Sequence, residues 1–251
     1  MGRKIVEFGF DLSIALEESK EIFHVHTHRC GHAAKEPVET LVMAALERGA
    51  ERITFTDHCP FPGNPFESRM KDTELQEYLS ELLELREKYQ GKIEIRIGLE
   101  VEYLPEYKEY YKEVSEKVDI LILGQHFFQI TPGVYSPSNS KAADEDECYG
   151  LSNAIIEGIC TGLFQVVAHP DRIFRKKQKW TEEMNQLSKK IICAALKMDV
   201  ALEKNLASIN RNQYREEFWN LVPEEAKIIV GVDAHSAKQI REASLKSSRM
   251  D

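Results

Sequence analysis

Eight histidines occur in this 251-residue chain. Six of them, His24, His26, His58, His126, His169 and His235, fall at the ends of short runs rich in Val, Ile, Leu and Phe, and His28 and His32 follow just past the first run. Carboxylates stand beside them in Asp57-His58, Glu100-Val101-Glu102, Glu203-Lys204-Asn205 and Asp233-Ala234-His235. A lone histidine at a strand end is ordinarily a core or surface residue. A whole set of imidazoles and carboxylates gathered at one place strains itself electrostatically unless a cation joins it, so the set points to a metal centre. Mixed nitrogen and oxygen donors suit zinc, iron or manganese, whereas magnesium and calcium prefer mostly oxygen.

The elements that must position these residues are legible as alternating strands and helices. Strands are expected at Ile22–His26, Arg52–His58, Ile93–Glu102, Asp119–His126, Phe164–His169, Val200–Asn205 and Lys227–His235. Between the first two, Val38, Leu41, Val42, Ala45 and Leu46 keep helical spacing, with Pro37 near the start and Gly49 near the end. Asp72 is a candidate N-cap for a helix reaching Tyr89, striped by Leu75, Leu79, Leu82, Leu83 and Leu85. A Glu/Tyr/Lys-rich segment, Pro105–Lys117, precedes the fourth strand, later helices are expected near Asp144–Thr161, Glu182–Met198, Gln213–Leu221 and Ala237–Ser247, and Gln129–Asp146 reads as a long loop. Such alternation signals a parallel α/β architecture, either an open doubly wound sheet or a closed barrel. In a barrel the strand ends meet at the C-terminal rim, where side chains two apart on a strand, such as His24 with His26 and Asp233 with His235, would converge.

Composition narrows the setting. At 42% hydrophobic and 30% charged, the chain can bury a core and keep a solvated surface, which excludes disordered and low-complexity classes. A single domain over residues 1–251 is expected, because α/β barrels reach this size as one unit. No stretch approaches the roughly 18 apolar residues of a membrane span, and Met1–Val6 carries neither a signal-peptide run nor a myristoylation signal. A cytoplasmic protein is therefore expected. The five cysteines are odd in number and form no CxxC, so no disulfide framework or zinc ribbon is indicated. A net charge of −9 disfavours nucleic acid as a partner. Oligomeric state leaves no mark on the sequence.

Taken in order, His24-Val25-His26-Thr27 with Cys30-Gly31-His32, then Thr54-Phe55-Thr56-Asp57-His58, Gly98-Leu99-Glu100-Val101-Glu102-Tyr103, Gln125-His126-Phe127, Ala168-His169-Pro170-Asp171 and Gly231-Val232-Asp233-Ala234-His235, the chain resembles the PHP (polymerase and histidinol phosphatase) family. The pattern H-x-H-T-x-x-C-x-H at residues 24–32 is similar to that of its histidinol-phosphatase branch. The resemblance implies a distorted (β/α)7 TIM-like barrel with a cluster of divalent metals, usually three, at the C-terminal rim. Carried over motif by motif, it places His24, His26, Glu100 and Asp233 on one metal. Glu100 then bridges to a second held by His126 and His169, and His32, His58 and His235 hold a third. His28, Asp57 and Cys30 are the alternatives or supports to His32, and Glu102 is read as supporting rather than ligating.

Three divalent cations and two carboxylates leave a charge of about +4, since ligating histidines are neutral, so such a site favours anions. The activity implied is hydrolysis of a phosphate monoester, L-histidinol phosphate within the branch, by a hydroxide shared between metals, with Asp233, His235 and Arg172 as candidate catalytic groups. Arg172, just past the fifth strand, and Arg211, after the sixth, are candidate phosphate donors. Arg175, Lys176 and Lys177 extend the basic run. Phe61, Phe127, Phe128 and Tyr135 are candidates to pack against the substrate. Glu203-Lys204-Asn205-Leu206-Ala207-Ser208 departs from the Asn-Thr-Ser-Gly continuation that the family usually shows, which bears on the substrate rather than on the metals.

Overall fold

The computed structural model describes residues 20–138, 144–176 and 179–243; Met1–Val6, Lys177 and the end of the helix expected to reach Ser247 lie outside the described residues. Seven parallel strands form one sheet in the spatial order β1 (Glu21–Val25), β2 (Arg52–His58), β3 (Glu94–Val101), β4 (Ile120–Leu123), β7 (Val166–Val167), β8 (Ala201–Asn205) and β9 (Ile228–Gly231). The sheet closes on itself where Val25 bridges Ala234. Val232 N–H donates to the Phe23 carbonyl at 2.8 Å, Ala234 N–H to His24 at 3.1 Å and His26 N–H to Ala234 at 2.8 Å. The chain is thus a distorted seven-stranded barrel, with crossover helices packed outside it.

Strand alternation divides the apolar residues into two cores. One face of each strand, with Ile22, Ile53, Phe55, Leu99, Leu121, Leu123, Val167 and Leu202, packs against the helices. The opposite face forms a small inner cluster of Phe23, Ile120, Ile122, Val166 and Ala168. Above that cluster, on the same inner face, the strands carry Glu100 in register with Ile122, and Glu203 in register with Ile229. The barrel interior is therefore apolar below and ionisable toward its C-terminal end.

The helices follow the expected pattern with local differences. The first, α1 (Val38–Glu47), buries Val38, Leu41, Val42, Ala44 and Ala45. In α2 (Leu75–Lys88) the buried stripe is Leu75, Tyr78, Leu79, Leu82 and Leu85, while Leu83 is exposed. At 100° per residue Leu83 falls beyond the edge of that stripe, and Tyr78 belongs within it, donating its hydroxyl to the Gly98 carbonyl at 2.8 Å. Asp72 does not cap this helix. A short 3₁₀ turn, Asp72–Glu74, precedes it, and the Glu74 carboxylate accepts from Lys71 N–H.

After α3 (Lys108–Ser115), part of the expected Gln129–Asp146 loop is ordered as an antiparallel hairpin of β5 (Phe127–Thr131) and β6 (Val134–Pro137). Pro132 and Gly133, the latter with φ 78°, supply the tight turn, and the β-prone Phe127, Phe128, Ile130, Val134 and Tyr135 form its arms. The helix α4 (Asp144–Cys160) follows, and α5 (Glu182–Met198) starts where Thr181 accepts from Met184 N–H at 3.2 Å. Short helices α6 (Leu206–Asn210), α7 (Glu216–Trp219) and α8 (Ala237–Arg241) complete the chain; α7 is shorter than the expected Gln213–Leu221.

Candidate metal centre and active site

The sheet pairing stops before several of the ionisable residues, so His126, His169, Asp233 and His235 lie just past the strands rather than on them. The expected convergence of His24 with His26 and of Asp233 with His235 is present but arises differently. His24, His169 and Asp233 have φ of 67°, 33° and 53°, the left-handed region, and the β1–β2 register shifts between Phe23 and Val25. Three non-glycine residues in that conformation at one rim are strain of the kind held at functional sites. Each left-handed residue turns the chain inward, where uninterrupted alternation would not.

The seven rim histidines form a continuous cluster. His26 stacks on His235 with ring centroids 4.3 Å apart, and lies 5.0 Å from His24 and 4.7 Å from His58. His32 lies 4.6 Å from His235, and His126 lies 4.9 Å from His169. Glu100 stands in the middle with its two oxygens turned apart. Oε2 is 3.4 Å from His24 Nε2, 3.5 Å from His26 Nε2 and 3.0 Å from His58 Nδ1. Oε1 is 3.0 Å from His169 Nε2 and 3.9 Å from His126 Nε2. Asp233 Oδ1 lies 3.4 Å from His26 Nε2 and 3.9 Å from His24 Nε2.

Among the described residues four donor groups are compact enough to hold an ion: His24 with His26 and Glu100; His58 with Glu100 and His126; His32 with His58 and His235; and His26 with Cys30 and His235. His28 is exposed and belongs to none of them. Asp57 is fully buried behind the rim, where it accepts both Thr27 N–H at 3.0 Å and the Thr27 hydroxyl at 3.1 Å, so it anchors the 27–32 loop instead of facing the cluster.

The partners behind the rings fix which nitrogen faces inward. His24 Nδ1 meets Glu203 Oε1 at 2.6 Å and His126 Nδ1 meets Glu102 Oε1 at 2.9 Å. His32 Nδ1 meets the Cys30 carbonyl and His235 Nδ1 the Asp233 carbonyl, both at 3.1 Å. Each acceptor holds the Nδ1–H tautomer and turns the Nε2 lone pair toward the cluster. Burial nevertheless leaves His24 Nε2, both nitrogens of His26, His58 Nδ1 and His235 Nε2 without hydrogen-bond partners. Buried polar atoms are ordinarily satisfied, and these unpartnered ring nitrogens cluster around the Glu100 and Asp233 carboxylates. The residues present therefore fit divalent metal ions.

The electrostatics agree. Burial, reinforced by neighbouring imidazoles, pushes His26 and His235 down to about 3 and His58 to about 4, keeping them neutral and able to ligate. Burial would lower His24 too, but Glu203, Glu100 and Asp233 converge on it and hold it well above the ordinary value. Burial opposes ionisation of Glu100 and Asp233, yet the surrounding histidines hold both well below the carboxylate range. A cation is thus already called for at the position that His24, Glu100 and Asp233 share.

Two glycines make room for the carboxylates. A Cβ on Gly124 would stand 1.9 Å from Glu100 Oε1, and one on Gly231 1.7 Å from Glu203 Oε1. Above the cluster a cavity of about 700 Å³ opens. Glu100, Asp233 and His235 reach its floor, and Arg172 and Arg211 stand on its wall. Arg175 also lines it, donating to the Ser138 hydroxyl at 3.2 Å and to its carbonyl, while Lys176 turns to Glu147, 3.8 Å away. Of the aromatics expected there, Phe127 and Tyr135 line the cavity; Phe61 is fully buried beneath it, and Phe128 packs on Gly150 of α4. Phe66 and Arg69, from the loop after β2, also line the cavity. The run of Phe, Pro and Gly around them marks that loop in the sequence, but nothing in it marks these two residues.

Barrel and rim together define an α/β barrel with a candidate metal centre at the C-terminal ends of its strands. A family model described as PHP domain matches residues 23–207, and the chain belongs to that family. It is 31% identical over 156 residues to the "probable histidinol-phosphatase" of Deinococcus radiodurans, a match covering 59% of each protein. It is 33% identical over 116 residues to the histidinol-phosphatase of Bacillus subtilis, covering 42% of this chain and 43% of that one. The chain thus spans roughly half the length of the curated relatives it matches. Among solved structures, the histidinol phosphate phosphatase of Lactococcus lactis, complexed with zinc, L-histidinol and phosphate, superposes with a TM-score of 0.68 at 21% identity over 90% of this chain and 91% of that one. That likeness is one of fold. Among the described residues no helix is long and apolar enough to cross a membrane.

Proposed function

We propose that the protein is a metal-dependent phosphomonoesterase that hydrolyses L-histidinol phosphate to L-histidinol and phosphate, within histidine biosynthesis in the cytoplasm. The observation that carries the reading is the divided Glu100 carboxylate, which faces His24 and His26 with one oxygen and His126 and His169 with the other, beneath a cavity lined by four arginines, Arg172 and Arg211 among them. In this reading His24, His26, Glu100 and Asp233 hold one metal, Glu100, His126 and His169 a second, and His32, His58 and His235 a third, with zinc, iron or manganese as the native ions. The bound metals supply Lewis-acid charge neutralisation and a deprotonated water at neutral pH.

The chain's own residues do the rest. Arg172 and Arg211 offer guanidinium forks from the ends of the fifth and sixth barrel strands in sequence, and hold the phosphate dianion in line. Asp57 is buried behind Thr27 and does not reach a leaving alkoxide, whereas Asp233 lines the cavity as the ionised carboxylate that a ligand to the metals must be. Phe66, Phe127 and Tyr135 face the organic part of the ester and exclude water from it. Histidinol-phosphatase names among the relatives support the choice of substrate.

The decisive assay is phosphate release from L-histidinol phosphate by manganese- or zinc-reconstituted protein, beside a generic aryl phosphate and a chelator-treated control. A strong preference for L-histidinol phosphate that chelation abolishes is expected. Turnover of the aryl ester alone would remove the histidine pathway and leave the phosphatase.

A further inference from the structure

Arg69 belongs to no motif, yet it joins the two halves of the site. Its side chain is almost buried, and its guanidinium lies 5.3–5.4 Å from the ring centroids of Phe61, Phe66 and Phe127. Nη1 donates to the Cys59 carbonyl at 3.2 Å and Nη2 to Glu102 Oε1 at 3.3 Å. Glu102 spends the rest of its capacity on one place: Oε1 meets His126 Nδ1 at 2.9 Å, and Oε2 accepts His126 N–H at 2.5 Å and Phe127 N–H at 3.3 Å. An arginine so committed is not a free phosphate arm, although it lines the same cavity as Arg172 and Arg211.

We infer that Arg69 is a positioning residue that couples the metal side of the site to its substrate side. Through Glu102 it holds His126 in the tautomer whose Nε2 faces Glu100. Through its flat face it holds Phe66 and Phe127 as the wall against which the organic part of a phosphate ester lies. The double task needs a planar fork that can hydrogen-bond at its edge while rings cover its faces. Without the arginine, Glu102 becomes a buried carboxylate with one cation fewer, and the orientation it imposes on His126 loosens. The substrate arm of this inference rests on the phosphomonoesterase reading; the metal arm does not.

The test compares wild type with Arg69→Lys and Arg69→Met. Zinc affinity of the chelator-stripped proteins is measured by competition with a chromophoric chelator, and KM and kcat are measured on L-histidinol phosphate. Arg69→Met should hold its weakest zinc about tenfold less tightly and raise KM several-fold more than it lowers kcat. Arg69→Lys, with the charge but not the fork, should fall between. Zinc affinity or KM within twofold of wild type in both variants overturns the coupling, whatever happens to the melting temperature, and leaves Arg69 a packing residue. If Arg69→Met does not fold, Arg69→Lys decides by the same limits. Should wild type not turn over L-histidinol phosphate, the substrate reading fails by itself, and the comparison proceeds with zinc and the aryl ester.

Discussion

Four of the seven rim histidines, His24, His32, His126 and His235, are specified by what stands behind them. Glu203 accepts from His24 at 2.6 Å and also takes His169 N–H at 2.9 Å, so one carboxylate sets two candidate ligands. Glu203→Gln should weaken metal binding roughly 10- to 100-fold while the far-UV circular dichroism stays that of the wild type; an unchanged metal affinity would remove Glu203 from this role. Titration of the metal-free protein offers a second check. Burial depresses His26 to about 3, so between pH 6.5 and about 3 the unfolded chain binds a proton there that the folded chain does not. Its contribution is whole above the unfolded value and is lost as pH falls. On lowering the pH from 6.5 to 5, chelated wild type should lose on the order of 1–2 kcal/mol more stability than His26→Asn, read from denaturant midpoints at each pH.

At the scale of elements, the strands deliver these side chains only because neighbouring strands give way. Gly231 of β9 leaves room for Glu203 of β8, and Gly124, just past β4, leaves room for Glu100 of β3. Gly231→Ala should lower the melting temperature and cut metal affinity more than tenfold, since the added methyl displaces the carboxylate behind His24. A variant that melts lower yet titrates zinc normally would count against that account. The seven strands, the helices between them and the histidines at their ends were legible because hydrophobic periodicity and residue type are local signals. The left-handed turns at His24, His169 and Asp233 were not, since no local pattern marks a non-glycine residue forced there by its surroundings. Nor were the β5–β6 hairpin, hidden among Pro, Gly and Ser, and Arg69, whose partners Glu102 and Phe127 lie far along the chain.

Across the whole molecule, candidate donors from six of the seven barrel strands, or the turns that follow them, meet at one rim, so metal binding should be coupled to folding. Metal binding at one hundred times its dissociation constant should add about 2.7 kcal/mol per independent site. Melting temperature should accordingly rise with added zinc or manganese and fall on chelation; a melting curve indifferent to both would detach the cluster from folding. The seam of the barrel carries a further consequence. β1 and the segment after β9 are held by a single bridge and a few main-chain hydrogen bonds, and His24 and His26 stand on one side of it with Asp233 and His235 on the other. While the chain is still emerging from the ribosome, the early histidines are made long before the last two donors exist. In a growing chain the two sites that need Asp233 or His235 therefore stay unfinished, and their loading would wait for the final strand to close the ring.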